Sequence, residues 1–402
     1  MSQEIHNIGA RIRAAREAAG MKQEELARAV GFASRQILSD LERGVRDVKA
    51  SEAARIARLL HLDLSSLLSE PQAKPRVLWR AKPSEGAEPI EATFLQWCDR
   101  QRRVLRLLDQ KPPDQLPSHD RDLAQMTYAD SDRLARDVGR SLDLGARPAR
   151  VLCDALESQF DVTIWYLDTP PGCAACTRGA HGVSILVPCS EAPWRRYFDI
   201  ANELFHLLTW TAAEREMSAD GTSAPSKHTE QLANAFAASL LLPGELVLRE
   251  LEERSSARRV KLAELVAMAR DFSVALDTLV WRLHNLGCWP DRAAVDGLLC
   301  NPRLRELDRA SQAGEWTQPT HLPERFVQSA YAATLRGRLS RTKLATYLQC
   351  GLPDLPTCLA TYGIDEGLAE LTSQDISLEF QTGDLDAIAM PCEQEQAPLL
   401  DP

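Results

Sequence analysis

The stretch Arg195 to Trp210, RRYFDIANELFHLLTW, restricts the fold more than any other. Ile200, Leu204, Leu207 and Leu208 recur at helical spacing, which defines a face that must pack on a core. Asn202, Glu203 and His206 fall together on the remaining face, since residues three and four apart on a helix are neighbours. The spacing predicts a single helix from 195 to 210, largely inside the protein, that brings three polar groups to a cleft. Such a helix needs other elements packed around it, and 402 residues leave room for two to three domains, each with its own core. With 44% hydrophobic and 26% charged residues the chain reads as an ordinary soluble globular protein. A net charge of -10 argues against a surface that coats nucleic acid by charge alone. The polar N-terminus and the lack of any apolar run near 18 residues predict a cytoplasmic protein with no membrane partner. Ten cysteines at irregular spacing then read as reduced thiols.

Residues 1–70 are punctuated as a small all-α bundle. Ile8 and Ile12 start a helix that ends at Gly20, and Gln23 opens a second, with Leu26, Ala27 and Val30 facing inward before Gly31. Ser34 is placed to cap a third helix, Arg35 to Arg43, on the stripe Ile37, Leu38 and Leu41. A fourth runs from about Ala50 to Leu60, and Leu62, Leu64, Leu67 and Leu68 are expected to close the bundle. The motifs KQEELARAVGF and LERG resemble the Cro- and lambda-repressor-like helix-turn-helix (XRE) family. That resemblance implies a third helix entering the major groove of double-stranded operator DNA by its N-terminal end, presenting Ser34, Arg35, Gln36 and Ser39. Arg35 suits guanine and Gln36 adenine, while Lys22, Gln23 and Arg43 are placed to hold phosphates. From Gly31 to Glu42 the chain is one residue longer than the commonest family spacing, so base contacts are expected to shift by one position. Eleven Lys and Arg stand against ten acids in residues 1–70, which gives little long-range steering; a homodimer pairing two recognition helices would supply the missing affinity.

Residues 71–150 read as linker and helical spacer. EPQAKPRVLWRAKPSEGAEP carries four prolines and no sustained period, so an extended connector is expected, docked at Leu78 and Trp79. Phe94, Trp97, Val104, Leu105 and Leu108 mark one helix, and Leu134, Ala135 and Val138 mark another from about Ser131 to Leu142.

Residues 151–290 carry the chemistry. Val151 to Phe160 reads as a helix, and Val162 to Leu167 and Val183 to Val187 as short strands. After the helix with Asn202 come a polar segment from Met217 to Thr229 and EQLANAFAASLLLPGE, a helix starting near Glu230 and stopped by Pro243. The zinc-protease helix H-E-x-x-H binds metal through its two His, and its Glu takes a proton from metal-bound water. The order x-E-x-x-H, E-x-x-A-N-x-F-A-A-x-L-L-x-P and then DFSVALDTLVWRLHNLG resembles the ImmA/IrrE metallopeptidase family. Its pattern implies metal ligands at position 202, His206 and Glu230, with Glu203 as catalytic base. Position 202 is Asn here. An amide oxygen is a weak zinc donor, so zinc affinity and peptidase chemistry are expected to fall sharply unless His181, Asp199 or His228 supplies a ligand. Cys173-Ala-Ala-Cys176 is expected in a loop after two prolines, as ordinary cysteines rather than half of a zinc site.

Residues 291–402 are expected to be mainly helical, with two helices split by Gly337 and Ser340 after the stripe Phe326, Ala330 and Leu335, and with one or two strands in ISLEFQTGDLDAIAM. The predicted fold is mainly α with a small zincin-like α+β domain. Two functional readings stay open. One is a DNA-binding transcription regulator whose degenerate metallopeptidase-like domain senses a small-molecule, peptide or nucleic-acid effector. The other is a zinc endopeptidase that cleaves a repressor partner or itself.

Overall fold

A computed structural model of the chain describes residues 2–60, 76–83, 86–110, 116–179, 181–220, 225–256, 259–289, 291–312, 316, 318–320 and 322–365. It divides into two compact units, residues 1–323 and 324–402.

The N-terminal helices are α1 (Ser2–Ala18), α2 (Gln23–Val30), α3 (Arg35–Glu42) and α4 (Ala50–Leu59). Gly31 ends α2 at φ 83°, a left-handed conformation that a side chain resists, and the chain turns there toward α3. Ile12, Leu26, Val30, Leu38, Leu41 and Ile56 meet in one buried cluster. Gly9 has a different task. A Cβ there would meet the Leu41 carbonyl oxygen at 2.1 Å, so only glycine lets α1 lie this close to α3. Leu62, Leu64, Leu67 and Leu68 lie outside the described residues.

The next elements surround a small sheet. They are β1 (Leu78–Trp79), α5 (Ala87–Leu107), α6 (Tyr128–Ser141), α7 (Pro148–Phe160), β2 (Thr163–Leu167), β3 (Ala175–Gly179), β4 (Gly182–Pro188) and α8 (Pro193–Leu208). Strand order is β1-β3-β4-β2. β1 and β3 pair antiparallel, as do β3 and β4, whereas β2 runs parallel to β4. Leu78 and Trp79, expected in the connector, are thus the edge strand beside Cys176 and Ala175. Every residue of β4 is buried, as a strand covered on both faces should be.

Pro193 opens α8 at a position where its missing N–H is not needed. The helix stops at Leu208 and Trp210 starts the next, so the predicted single helix to 210 is broken at its C-terminal end. Ten successive residues, Asp199 to Leu208, are buried. A helix buried all round is a central element, and the polar face expected toward an open cleft is itself enclosed. The helix packs against β3, β4, α7 and the two helices that follow it, α9 (Trp210–Asp220) and α10 (Lys227–Leu241); after these the chain continues through α11 (Gly244–Arg254), α12 (Leu262–Asp271), α13 (Leu276–Asn285), α14 (Arg292–Leu299) and α15 (Pro302–Ser311). Ala233 and Ala237 on α10 are fully buried, and their small side chains bring α10 against α8, with the Phe205 and Phe236 rings 5.6 Å apart.

The C-terminal unit holds α16 (Glu324–Leu335), α17 (Arg341–Tyr347) and α18 (Leu355–Ala360). Phe326 and Ala330 are buried, but Leu335 is 57% exposed, because the helix ends there and the apolar stripe with it. The strands expected after Gln374 lie outside the described residues.

Candidate functional site

The N-terminal end of α3 presents a polar surface. Ser34, Arg35 and Gln36 are exposed and Ser39 is half-buried. Ser34 is the N-cap residue, although its side chain makes no capping hydrogen bond. A chain of hydrogen bonds ties this end to the bundle. Arg16, 7% exposed, donates to both oxygens of buried Glu42 at 2.7 and 3.1 Å. Gln23 Nε2 donates to Glu42 Oε2 at 2.7 Å, and Arg35 Nε donates to Gln23 Oε1 at 3.2 Å. Gln36 donates to Asp40 at 2.9 Å, and Arg43 pairs with the same carboxylate. Lys22 and Arg43 are exposed, whereas Gln23 is half-buried and braces Arg35.

In the central domain α8 and α10 bring Asn202, Glu203, His206 and Glu230 together. Asn202, Glu203 and His206 are each 0% exposed. His206 Nε2 lies 3.1 Å from Glu230 Oε1, the distance of an ion pair, without the alignment of a directed hydrogen bond. Asn202 Nδ2 donates to Asn234 Oδ1 at 3.1 Å. That leaves Asn202 Oδ1, both oxygens of Glu203 and Glu230 Oε1 buried without a hydrogen bond. Buried polar atoms are ordinarily satisfied, so these orphans mark a built polar centre rather than ordinary core.

Its electrostatics follow from burial. Burial pushes the Glu203 carboxyl up to about 7; His206 and the Cys176 thiol pull it down and Glu230 adds to the rise. Burial lowers His206, but the carboxylates of Glu230 and Glu203 outweigh it and hold the imidazole above its ordinary value. Cys176 is pushed well up, first by burial and then by Glu203. The expected loop holds Cys173, which is buried in the turn before β3, but is corrected at Cys176, a fully buried residue of β3 beside Glu203. The strand was hidden because Ala-Cys-Thr-Arg-Gly lacks the β-branched and aromatic residues that announce one; its pairing with β4 makes it.

The three residues weighed as substitute ligands are engaged elsewhere. His181 Nε2 lies 3.0 Å from the Thr177 hydroxyl, Asp199 pairs with Arg80, and His228 Nε2 lies 3.1 Å from the Met126 carbonyl oxygen. Among the described residues no group of three or more His, Cys, Asp and Glu is arranged to hold a metal ion. A catalytic zinc takes three strong protein ligands and keeps one position open. Here His206 and Glu230 are strong donors, and Asn202 offers an amide oxygen whose amide nitrogen is committed to Asn234. This donor set does not fit that zinc.

Two residues of the centre escaped the sequence reading. Asn234 lies one helical turn after Glu230, inside EQLANAF, and helical spacing could have found it. Arg80 could not be found that way, since only the sheet brings the segment after β1 to α8.

Beside the centre a cleft of about 760 Å³ opens between α6, α10 and α13, with Asn234, Gln231, Tyr128, Phe198 and Trp281 in its walls. Residues 12–67 match the family model described as helix-turn-helix, and residues 159–284 match the one described as IrrE N-terminal-like domain. The chain carries both domains. The helix-turn-helix match takes in all of α2, α3 and α4, and the IrrE-like match runs from the end of α7 to His284 on α13, covering Asn202, Glu203, His206 and Glu230. No curated protein matches the chain. A solved structure that does match is the apo form of the competence regulator ComR from Streptococcus vestibularis, at 13% identity over 92% of this chain and 98% of that one. Its TM-score of 0.16 is too low to support any inference. Among the described residues no single helix is long and apolar enough to cross a membrane.

Proposed function

We propose that this protein is a cytoplasmic transcription regulator that binds double-stranded operator DNA as a homodimer and uses its IrrE-like domain to sense an effector rather than to cut peptides. The helix-turn-helix match supports the DNA-binding half. The choice of sensing over proteolysis is carried by one observation: position 202 offers only an amide oxygen, a weak zinc donor, where a peptidase would need a third strong ligand beside His206 and Glu230. Without that ligand a metal would be weakly held, and Glu203 would have no activated water to deprotonate. What remains is an enclosed polar centre with unsatisfied groups, beside a cleft of ligand size. An effector that uses those groups in one conformation and not in another would shift the equilibrium between them, and so the separation of two recognition helices on half-sites about 34 Å apart.

The test has two arms. Operator fragments are first selected from random duplexes with the full chain, and affinity is then read by fluorescence anisotropy. Arg35→Ala should weaken binding by roughly 1–3 kcal/mol, about tenfold or more, at guanine-containing positions. Glu203→Gln should leave DNA affinity without effector unchanged. Selection that yields no preferred sequence would contradict the regulator reading, and peptide cleavage abolished by Glu203→Gln would contradict the sensor reading.

A further inference from the structure

In the C-terminal unit the short helices α17 and α18 each bring a cysteine to the turn between them. Gln349, left-handed at φ 58°, reverses the chain after α17, and the Cys350 N–H donates to the Ala345 carbonyl oxygen at 3.0 Å. The next residues form a turn in which the Asp354 N–H donates to the Gly351 carbonyl oxygen at 3.1 Å. The Cys358 N–H donates to the Asp354 carbonyl oxygen at 2.9 Å, which places Cys358 in the first turn of α18. Leu344 on α17 and Leu355 and Leu359 on α18 are fully buried and anchor both helices. Cys350 and Cys358 are eight residues apart in the chain, and this path sets their thiols side by side, within hydrogen-bonding reach.

Their surroundings make the pair a reactive one. Both cysteines are half-buried, and the turn residues Gly351, Leu352, Pro353 and Asp354 are exposed, so a small solute reaches the sulfurs. Cys98, Cys173, Cys176 and Cys189, by contrast, are buried. Burial pushes the Cys358 thiol up to about 11, and the Cys350 sulfur beside it adds to the rise. Cys358 is therefore the second of the two to lose its proton, and its S–H is placed to donate to a Cys350 thiolate. A closed zinc site takes four ligands, and among the described residues no group of three or more His, Cys, Asp and Glu is arranged to hold a metal ion. A disulfide needs only the two sulfurs.

We propose that Cys350 and Cys358 are a redox modification site, a dithiol that a peroxide converts to a reversible disulfide across the turn between α17 and α18. The Cys350 thiolate attacks one peroxide oxygen; the O–O bond breaks, the sulfur becomes a sulfenic acid, and the other oxygen leaves and takes up a proton. The Cys358 sulfur then attacks that of Cys350, the S–S bond forms as the S–O bond breaks, and the hydroxide leaves with the Cys358 proton as water. Two electrons pass from the sulfurs to the peroxide, and a thiol reductant returns them. This site does not rest on the regulator reading.

The test treats the full, reduced chain with hydrogen peroxide, blocks the remaining thiols with iodoacetamide under denaturing conditions, and digests with trypsin and Asp-N for mass spectrometry. Cleavage after Lys343 and before Asp354 and Asp365 leaves Cys350 in the fragment Leu344–Pro353 and Cys358 in Asp354–Ile364, so a disulfide shows as the two joined. Peroxide should join them and lower alkylation of both cysteines together by roughly tenfold or more, and dithiothreitol should restore it. Cys300, which is exposed, reports that the oxidant reaches the protein. In Cys358→Ser, checked for native helical signal, Cys350 should stop at the sulfenic acid and be trapped by dimedone. The proposal is overturned if both cysteines stay alkylated at a dose that oxidises Cys300, if Cys350 is joined to a fragment other than Asp354–Ile364, if dithiothreitol does not reopen the pair, or if Cys358→Ser gives no dimedone adduct at Cys350.

Discussion

Asn202, Glu203 and His206 show how much one side chain changes when its neighbours are kept. The helix is enclosed where these residues stand and packs against α10, and the amide nitrogen of Asn202 donates to Asn234. Asp199, one turn earlier, gives the residue-scale prediction with a sign. Burial pushes its carboxyl up to about 8, with Arg80 opposing and Glu191 and Glu203 adding to the rise. Between roughly pH 4 and pH 8 the folded protein keeps a proton that the unfolded chain has released, so stability falls as pH rises, by at most about 1.4 kcal/mol per pH unit. Below that window the penalty is absent, and above it the loss is complete. Urea unfolding at pH 5 and pH 8 should show this slope in the native protein and a smaller one in Asp199→Asn. An equal slope in both would contradict the assignment. Glu42 gives a second prediction. Its carboxylate is 1% exposed and takes two hydrogen bonds from Arg16 and one from Gln23. Glu42→Ala leaves the buried Arg16 charge unpaired and should cost about 3–5 kcal/mol, measured by thermal unfolding followed at the helical signal. A loss below about 1 kcal/mol would mean that Arg16 reaches solvent.

At the scale of elements, packing decides what the side chains can do. Phe205 and Phe236 join α8 to α10, and both are fully buried. Phe205→Ala should destabilise the domain by about 3–5 kcal/mol and loosen the distance between His206 and Glu230 along with it. Gly9→Ala should drive α1 away from α3 through the Leu41 carbonyl, and a DNA affinity equal to the native protein's would show that the α1–α3 contact does not position the recognition helix. Much of this architecture was legible in the sequence, because many helices here keep an apolar face at helical period and several are bounded by Gly or by a capping Ser, Thr, Asp or Asn. Gln23, Ser34 and Ala50 marked helix starts within a residue of those observed. The sheet was half legible. β2 and β4 are apolar runs, but β1 has two residues and β3 is Ala-Cys-Thr-Arg-Gly, so their strand character comes from partners far away in the chain. For the same reason Asn202, Glu203 and His206 could be grouped by spacing and Glu230 added by the resemblance to the ImmA/IrrE family, while Arg80 and Cys176 around them depend on tertiary pairing. The burial of the polar face of α8 was also out of reach, since a helix pattern gives a direction and not the depth of what covers it.

For the whole molecule, a helix-turn-helix domain and an IrrE-like domain on one chain give a division of labour in which one end reads DNA and the other holds an enclosed polar centre. DNA binding should fall steeply with salt as counterions are released, with a slope reduced by about one for each phosphate-contacting residue removed; Lys22→Ala is the simplest such variant. The account turns most sharply on whether the centre is a disabled metal site, and the most direct measurement is zinc content by elemental mass spectrometry on the purified full chain and on Asn202→His, prepared together in chelator-free buffer. The predicted result is far less than one zinc per native chain and close to one per chain of the variant, in which a third strong ligand joins His206 and Glu230. One zinc per native chain, lost on His206→Ala, would contradict the account and make the peptidase reading the one to pursue.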